Sequence, residues 1–233
     1  FRLGDQVTFV GWLKDMPEEM WKRSSEFEIS HESIFSYDSE NAYAEMDSLG
    51  RFSITMPLPN ASQIFLDWGR TTVSTVLEPG ETYFFLFDFT TGQKLFMGKN
   101  VRMQNELIAH PHSWDNYRVD MSERGKADAM KVWAKTDSIR ASQMQDLKEL
   151  EVKHPTLSQR YLDYVEGYYQ NIQANSMLQA RFYTPNHKLP KEYMDFAGKE
   201  FWQKRIQPYT IYRDFFNFLT DYLDQLTQDR GTS

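Results

Sequence analysis

Asp47-Ser48-Leu49-Gly50-Arg51-Phe52 opens the stretch that decides the fold, and Phe96-Met97-Gly98 closes it. After the Leu49-Gly50 turn signal, Phe52, Ile54 and Met56 alternate with Arg51, Ser53 and Thr55, the two-residue period of a strand with one apolar face. Pro57-Leu58-Pro59-Asn60 breaks that strand. Ile64, Leu66 and Trp68 alternate next, with Phe65 on the other face, and Gly69-Arg70 turns the chain into Thr71 to Leu77. Glu78-Pro79-Gly80-Glu81 places Pro and Gly at the central positions of a type II turn. Tyr83-Phe84-Phe85-Leu86-Phe87-Asp88-Phe89 is the most apolar strand, and Thr91-Gly92 turns it into Lys94 to Met97. Short strands divided by turn residues, with no helical run between them, predict an antiparallel sandwich or barrel and disfavour a parallel βαβ sheet.

Working outward towards the N-terminus, Val7, Phe9, Gly11 and Leu13 alternate with Thr8, Val10 and Trp12. Both sets are largely apolar, which predicts a strand covered on both faces or nearly so. Asp15 to Ser25, with Pro17, reads as a loop or one helical turn. Phe27 and Ile29 form a half-exposed strand, and Ala42, Ala44 and Met46 continue the pattern. Towards the C-terminus the period changes near Asn100. Val101 to His110 reads as a short helix stopped by Pro111, followed by a polar linker. Ser122 to His154 carries a helical stripe of Met130, Trp133, Ile139, Met144, Leu147 and Leu150. Thr156 and Gln159 match a capping box ahead of Leu157, Tyr161, Tyr164, Tyr168 and Ile172, a helix running to about Phe182. Pro190 starts a short helix with Tyr193, Ala197 and Phe201 on one face. Pro208 precedes a last one, marked by Tyr212, Phe215, Leu219, Tyr222 and Leu226. The expected fold is α+β: an N-terminal antiparallel β-sandwich over residues 1–100, a short helix and linker over 101–121, and an α-helical region over 122–233. Each helical stripe needs burial, so the helices are expected to pack as a small bundle.

Composition narrows the function classes. The 233 residues carry a net charge of −7, with 40% hydrophobic, 25% charged and 15% aromatic residues. That describes a folded chain with room for one large or two ordinary domains. It lacks the basic stripe with which proteins displace counterions from nucleic acid, so nucleic acid is not an expected partner. Cysteine is absent, which removes disulfides, thiolate metal sites and cysteine nucleophiles from this chain. The longest strongly apolar run, Tyr83 to Phe87, is far short of the roughly 20 residues a membrane-spanning helix needs. The chain starts at Phe1 without an initiator Met or a signal-peptide pattern, which suggests a mature chain or a fragment of a larger one. The polar Thr227 to Ser233 reads as a boundary.

Candidate chemistry is sparse. His110-Pro111-His112 with Asp115 is the one compact group of metal-type ligands; the intervening Pro and the lack of a further ligand favour an exposed turn, and no metal or other cofactor is expected. Glu18-Glu19, and Asp38 with Glu40, lie in polar stretches and read as solvated charges, not as a glycosidase pair. Phosphate-binding glycine loops and a Gly-x-Ser-x-Gly elbow are absent. Trp12, Trp68 and Trp114 could form a sugar platform, since indole rings stack on sugar faces. Trp68 is in phase with Ile64 and Leu66 and reads as core, which leaves Trp114, in the linker, and Trp12 as the candidate ligand surface. A hydrolase assembled from both halves of the chain has no local support.

The turns at Asp47-Ser48-Leu49-Gly50-Arg51-Phe52 and Leu77-Glu78-Pro79-Gly80-Glu81, with Phe96-Met97-Gly98-Lys99-Asn100, resemble the N-terminal region of thioredoxin-like thiol–disulfide oxidoreductases of the Bacteroidetes envelope. The resemblance covers roughly Val7 to Asn105 by motif and the helices by order. It implies a β-sandwich with a D-x-x-G-x-F turn and a helical segment, ahead of a thioredoxin domain bearing Cys-x-x-Cys. It also implies an extracytoplasmic place, periplasmic or envelope-attached. This chain departs from the pattern in having no Cys, so no catalytic residue carries over: thiol exchange needs a thiolate. The expectation is a non-catalytic accessory region that serves as scaffold or partner-binding module, its partner being the C-terminal thioredoxin-like domain of the same parent chain. The alternative is a stand-alone envelope protein that binds a glycan or peptide.

Overall fold

Alternating apolar residues in the first hundred positions, and three- to four-residue spacing after them, become an α+β chain of the expected order. The computed structural model describes residues 4–22, 26–32, 39–68, 71–203 and 210–228. The expected Gly69-Arg70 turn, Asp38 and Pro208 lie outside those residues. Contacts divide the chain between Pro111 and His112, inside the segment read as a linker. One unit is Phe1–Pro111 with Pro208–Arg213, and the other is His112–Gln207 with Asp214–Ser233.

Among the described residues the first unit holds eight strands: β1 (Gln6–Lys14), β2 (Glu26–Glu32), β3 (Ser39–Glu45), β4 (Arg51–Pro57), β5 (Ser62–Trp68), β6 (Thr71–Leu77), β7 (Thr82–Asp88) and β8 (Gln93–Met97). A single turn of helix, α1 (Glu18–Trp21), follows β1, and α2 (Arg102–Ala109) follows β8. Two four-stranded sheets form, in the orders β4-β1-β7-β8 and β3-β2-β5-β6. The expected antiparallel pairing holds except between β1 and β7, which run parallel. Parallel neighbours cannot be joined by a tight turn. Here the long connection between them is made of the other strands, which cross to the second sheet and return.

The two inner faces share one core. Val7, Phe9, Leu13, Phe27, Ile29, Phe52, Ile64, Leu66, Trp68, Phe85 and Phe96 are all buried in it. Phe27 stacks on Phe52 with centroids 4.0 Å apart, and on Trp68 at 5.6 Å. Each such ring contributes about 1.5–3 kcal/mol by leaving water, so this aromatic layer is the main reason the sheets stay face to face. Gly11 makes room for it: a Cβ there would sit 2.0 Å from Cζ of Phe52.

The Asp47 stretch is the corner at which the chain leaves one sheet for the other. One carboxylate oxygen of Asp47 accepts the backbone N–H groups of Leu49 and Arg51, both at 2.9 Å, and the other accepts from the Arg51 guanidinium at 2.7 Å. The Arg51 hydrogen bond holds the carboxyl below its usual range. Gly50 takes φ +77° with its Cβ position 2.4 Å from the Leu13 carbonyl oxygen, so no side chain fits there. Its own carbonyl accepts the Leu13 N–H at 2.8 Å, which fastens the corner to β1 and drops Phe52 into the core. At the far end of the sheet, Asn105 of α2 bonds both the N–H and the carbonyl of Phe96, at 2.8 and 2.9 Å, so α2 engages the edge strand β8.

The second unit contains α3 (Ala129–Lys153), α4 (Gln159–Gln179), α5 (Lys191–Ala197), which runs on into a wider turn at Gly198–Trp202, and α6 (Phe215–Gln228). Its core gathers Ala174, Met177, Leu178, Tyr193, Ala197, Phe201 and Phe218, so the expected face of α5 is the buried one. The Tyr161, Tyr164 and Tyr168 stripe of α4 is buried as expected, but its cap is Ser158, whose hydroxyl accepts the Tyr161 N–H, and not Thr156.

Two helices bury faces that only partly match their expected stripes, which keep Leu147 buried and Trp133, Phe215 and Tyr222 packed against the core. α3 buries Ala129, Val132, Thr136, Gln143 and Leu147, while Met130 of the expected stripe is exposed. α6 buries Phe218, Asp221 and Gln225, while Leu226 faces out. In both cases polar side chains turn inward because partners await them. Gln143 donates to the Asp115 carbonyl at 2.8 Å, and Gln225 bridges the Leu189 N–H and the His187 carbonyl at 3.1 Å each.

Candidate functional surfaces

On the first unit, the outer face of the sheet containing β1 carries an apolar stripe. Register pairs Val10 with Phe84 and Trp12 with Leu86, and β7 continues the rows into β8 by pairing Phe84 with Met97 and Leu86 with Leu95. All six project away from the core, because their neighbours Phe9, Gly11, Phe85 and Phe96 are the buried ones. Trp12, Phe84 and Met97 are 42%, 44% and 44% exposed. The expectation that β1 is covered on both faces or nearly so is therefore corrected at Trp12, which is exposed, while Val10 in the same row is half-buried. Trp12 is also part of the Asp47 corner, since its indole N–H donates to the Leu49 carbonyl at 2.9 Å. That bond ties the ring to the corner and uses its one donor.

On the second unit, His112 enters an aromatic cluster. Its ring lies 4.3 Å from Tyr168, 5.1 Å from Trp114 and 5.7 Å from Tyr164. Burial pushes the imidazole down from 6.5 to about 4, and its Nε2 has no hydrogen-bond partner among the described residues. A neutral ring packed on tyrosines is a structural element here, and among the described residues no group of three or more His, Asp or Glu side chains is placed to hold a metal. Trp114 covers the cluster with 47% of its surface exposed. It and Trp12 belong to different units, and each is an exposed indole in its own setting. Glu18 pairs with Lys22 across one helical turn at 2.8 Å, and Glu40 lies 3.9 Å from His31.

The same unit contains a cleft of about 250 Å³ that the sequence did not announce. One wall is the segment around Arg118 with Tyr117; another is α4, through Asn175, Ser176 and Gln179; Tyr183 and the start of α6, Asp214 and Asn217, complete it. Beside it lies a buried ion pair. Arg181 meets Asp221 at 2.5 Å and Asp224 at 3.1 Å, and Gln179 donates its amide to Asp221. Burial pushes the Asp221 carboxyl above its usual range, against the pull of Arg181. This pair, with Gln179 of α4, anchors α6 to the end of α4. None of the cleft residues stood out in the sequence, because scattered Asn, Gln and Ser on helices read as solvated positions.

No helix among the described residues is long and apolar enough to cross a membrane. Comparison with known proteins finds no matching family model, no matching curated protein and no matching solved structure. Without cysteine, the chain itself performs no thiol–disulfide chemistry.

Proposed function

We propose that this chain is a non-catalytic scaffold and partner-binding module, the accessory region of an exported thioredoxin-like thiol–disulfide oxidoreductase whose redox domain lies outside these residues. The observation that supports it is the outward apolar stripe in which Trp12, Phe84 and Met97 are exposed and Val10, Leu86 and Leu95 half-buried. Contiguous exposed apolar surface marks protein interaction sites, and this one lies on a rigid sheet whose corner motif also carries the family resemblance. The partner is the parent's thioredoxin-like domain, and the setting is the periplasm or envelope. The test is the reading frame that encodes the parent protein. A thioredoxin-like segment with Cys-x-x-Cys downstream of this chain is the expected result, together with weakened binding of that domain, added in trans, when Phe84 and Met97 are both changed to Lys. A parent frame without such a segment refutes the proposal.

The second reading is a stand-alone module that binds a glycan or peptide. It is favoured by the exposed Trp114 edge on the tyrosine cluster. Binding on a glycan or peptide array that disappears in Trp114→Ala supports it, and uniformly negative arrays reject it.

A further inference from the structure

We infer that the cleft between Arg118, α4 and the start of α6 is a binding site for a small, uncharged, hydroxyl-rich ligand of the saccharide class, one sugar ring in size. This stands apart from the redox-domain reading and survives or fails independently of it.

Four observations lead there. First, the lining is polar and mixed in sense. The Arg118 guanidinium offers donors, the Asp214 carboxylate acceptors, and Asn175, Ser176 and Asn217 can do both. A hydroxyl group donates and accepts at once, so a polyol satisfies such a wall where a carboxylate, phosphate or amine satisfies only half of it. Second, the one cation and one anion among the described lining residues balance. An anionic ligand would meet Asp214 and a cationic one Arg118, each at a cost, which leaves a ligand without net charge; the hydroxyl-matching lining favours a polyol among these. Third, Asn175 Oδ1 is buried and has no hydrogen-bond partner among the described residues. An unfilled acceptor of that kind costs about 1–3 kcal/mol unless a ligand or water supplies a donor. Fourth, Asp214 holds φ +63° immediately before α6, with its carbonyl accepting the Phe218 N–H at 3.1 Å and its carboxylate accepting from the Asn217 amide at 3.3 Å. Left-handed backbone is uncommon at a non-glycine residue, and it occurs here at a residue that lines the cleft.

Size and rings complete the argument. At about 250 Å³ the cleft is smaller than pockets for drug-sized ligands, which run from about 300 Å³ upward. It takes one ring and not a peptide segment, which advances roughly 3.3 Å per residue and needs an open groove. Tyr117 and Tyr183 supply flat apolar surface for the C–H face of a sugar.

The test is ligand-observed NMR and calorimetry on the folded 233-residue chain. The probes are neutral hexoses and N-acetylhexosamines, with glucuronate, inorganic phosphate and glycerol as comparison ligands. The expected result is saturable binding of at least one neutral sugar with Kd of about 1 mM or tighter. Arg118→Ala, at an exposed position, and Asn175→Ala should each weaken it by about tenfold or more, with circular dichroism unchanged. Binding of phosphate or glucuronate in preference to neutral sugars overturns the ligand class. Sugar binding that is indifferent to both substitutions overturns the site. No binding of any probe up to tens of millimolar shows that the cleft holds only water and overturns the proposal.

Discussion

His112 should make the helical unit acid-sensitive in a specific pH window. Its imidazole is packed against Tyr168, Tyr164 and Trp114, and burial alone pushes its pKa from 6.5 to about 4. In the unfolded chain the ring titrates near 6.5, so between pH 6.5 and 4 the unfolded state binds more protons than the folded one. Stability therefore falls as pH drops through that window. At about 1.4 kcal/mol per pH unit, the loss attributable to this ring reaches about 3 kcal/mol by pH 4. His112→Phe keeps an aromatic ring in the cluster and removes the titration. Urea denaturation of both proteins, followed by circular dichroism at 222 nm, about the usual helical band, isolates the effect. At neutral pH the two should be of comparable stability. On acidification the native protein should lose about 3 kcal/mol more than the variant. Asp221, whose buried carboxyl is raised, changes stability with the opposite sign over the acidic range, but it does so equally in both proteins and cancels in the difference. Equal pH profiles for the two proteins, or an NMR titration placing the His112 ring near 6.5, would refute the reasoning.

Three further outcomes check the fold. Gly11→Ala should cost about 1–3 kcal/mol, although alanine is ordinarily the better strand residue, because its methyl would overlap the Phe52 ring; partial recovery in Gly11→Ala/Phe52→Leu, read by chemical denaturation, identifies the clash, and an undiminished single variant disproves it. Asp221→Ala leaves the buried Arg181 with only the half-exposed Asp224 and should cost about 3 kcal/mol, whereas an Arg181→Met/Asp221→Leu pair should recover most of that; equal losses in the two variants would count against it. Asp47, held below the usual carboxylate range first by its hydrogen bond from Arg51, contributes stability above pH 3.8 that disappears as pH falls through its lowered value; the melting-temperature gap between the native chain and Asp47→Asn should accordingly close in acid, and a gap that persists there contradicts the assignment.

Most of the strands and the existence of the long helices followed from the sequence alone. Two-residue alternation at Phe52-Ile54-Met56 and Ile64-Leu66-Trp68 fixes a buried face whatever its neighbours, because successive side chains must point to opposite sides. Gly50 and Gly80 marked turns because the backbone there takes positive φ. Tertiary structure decided what depends on distant partners. The parallel meeting of β1 with β7 joins residues more than seventy positions apart, which no local pattern encodes. Phe84 and Met97, which join Trp12 on the outward stripe, carried no mark of that in the sequence, since an apolar residue does not show whether a second layer covers it. Conversely Gln143, Asp221 and Gln225 lie off the apolar stripes read from the sequence and prove buried, because a polar side chain goes inside wherever its hydrogen bonds are met, and those partners come from other segments of the chain. The cleft was invisible for the same reason. Its walls are separate segments, and their convergence is a property of packing and not of any one stretch of chain.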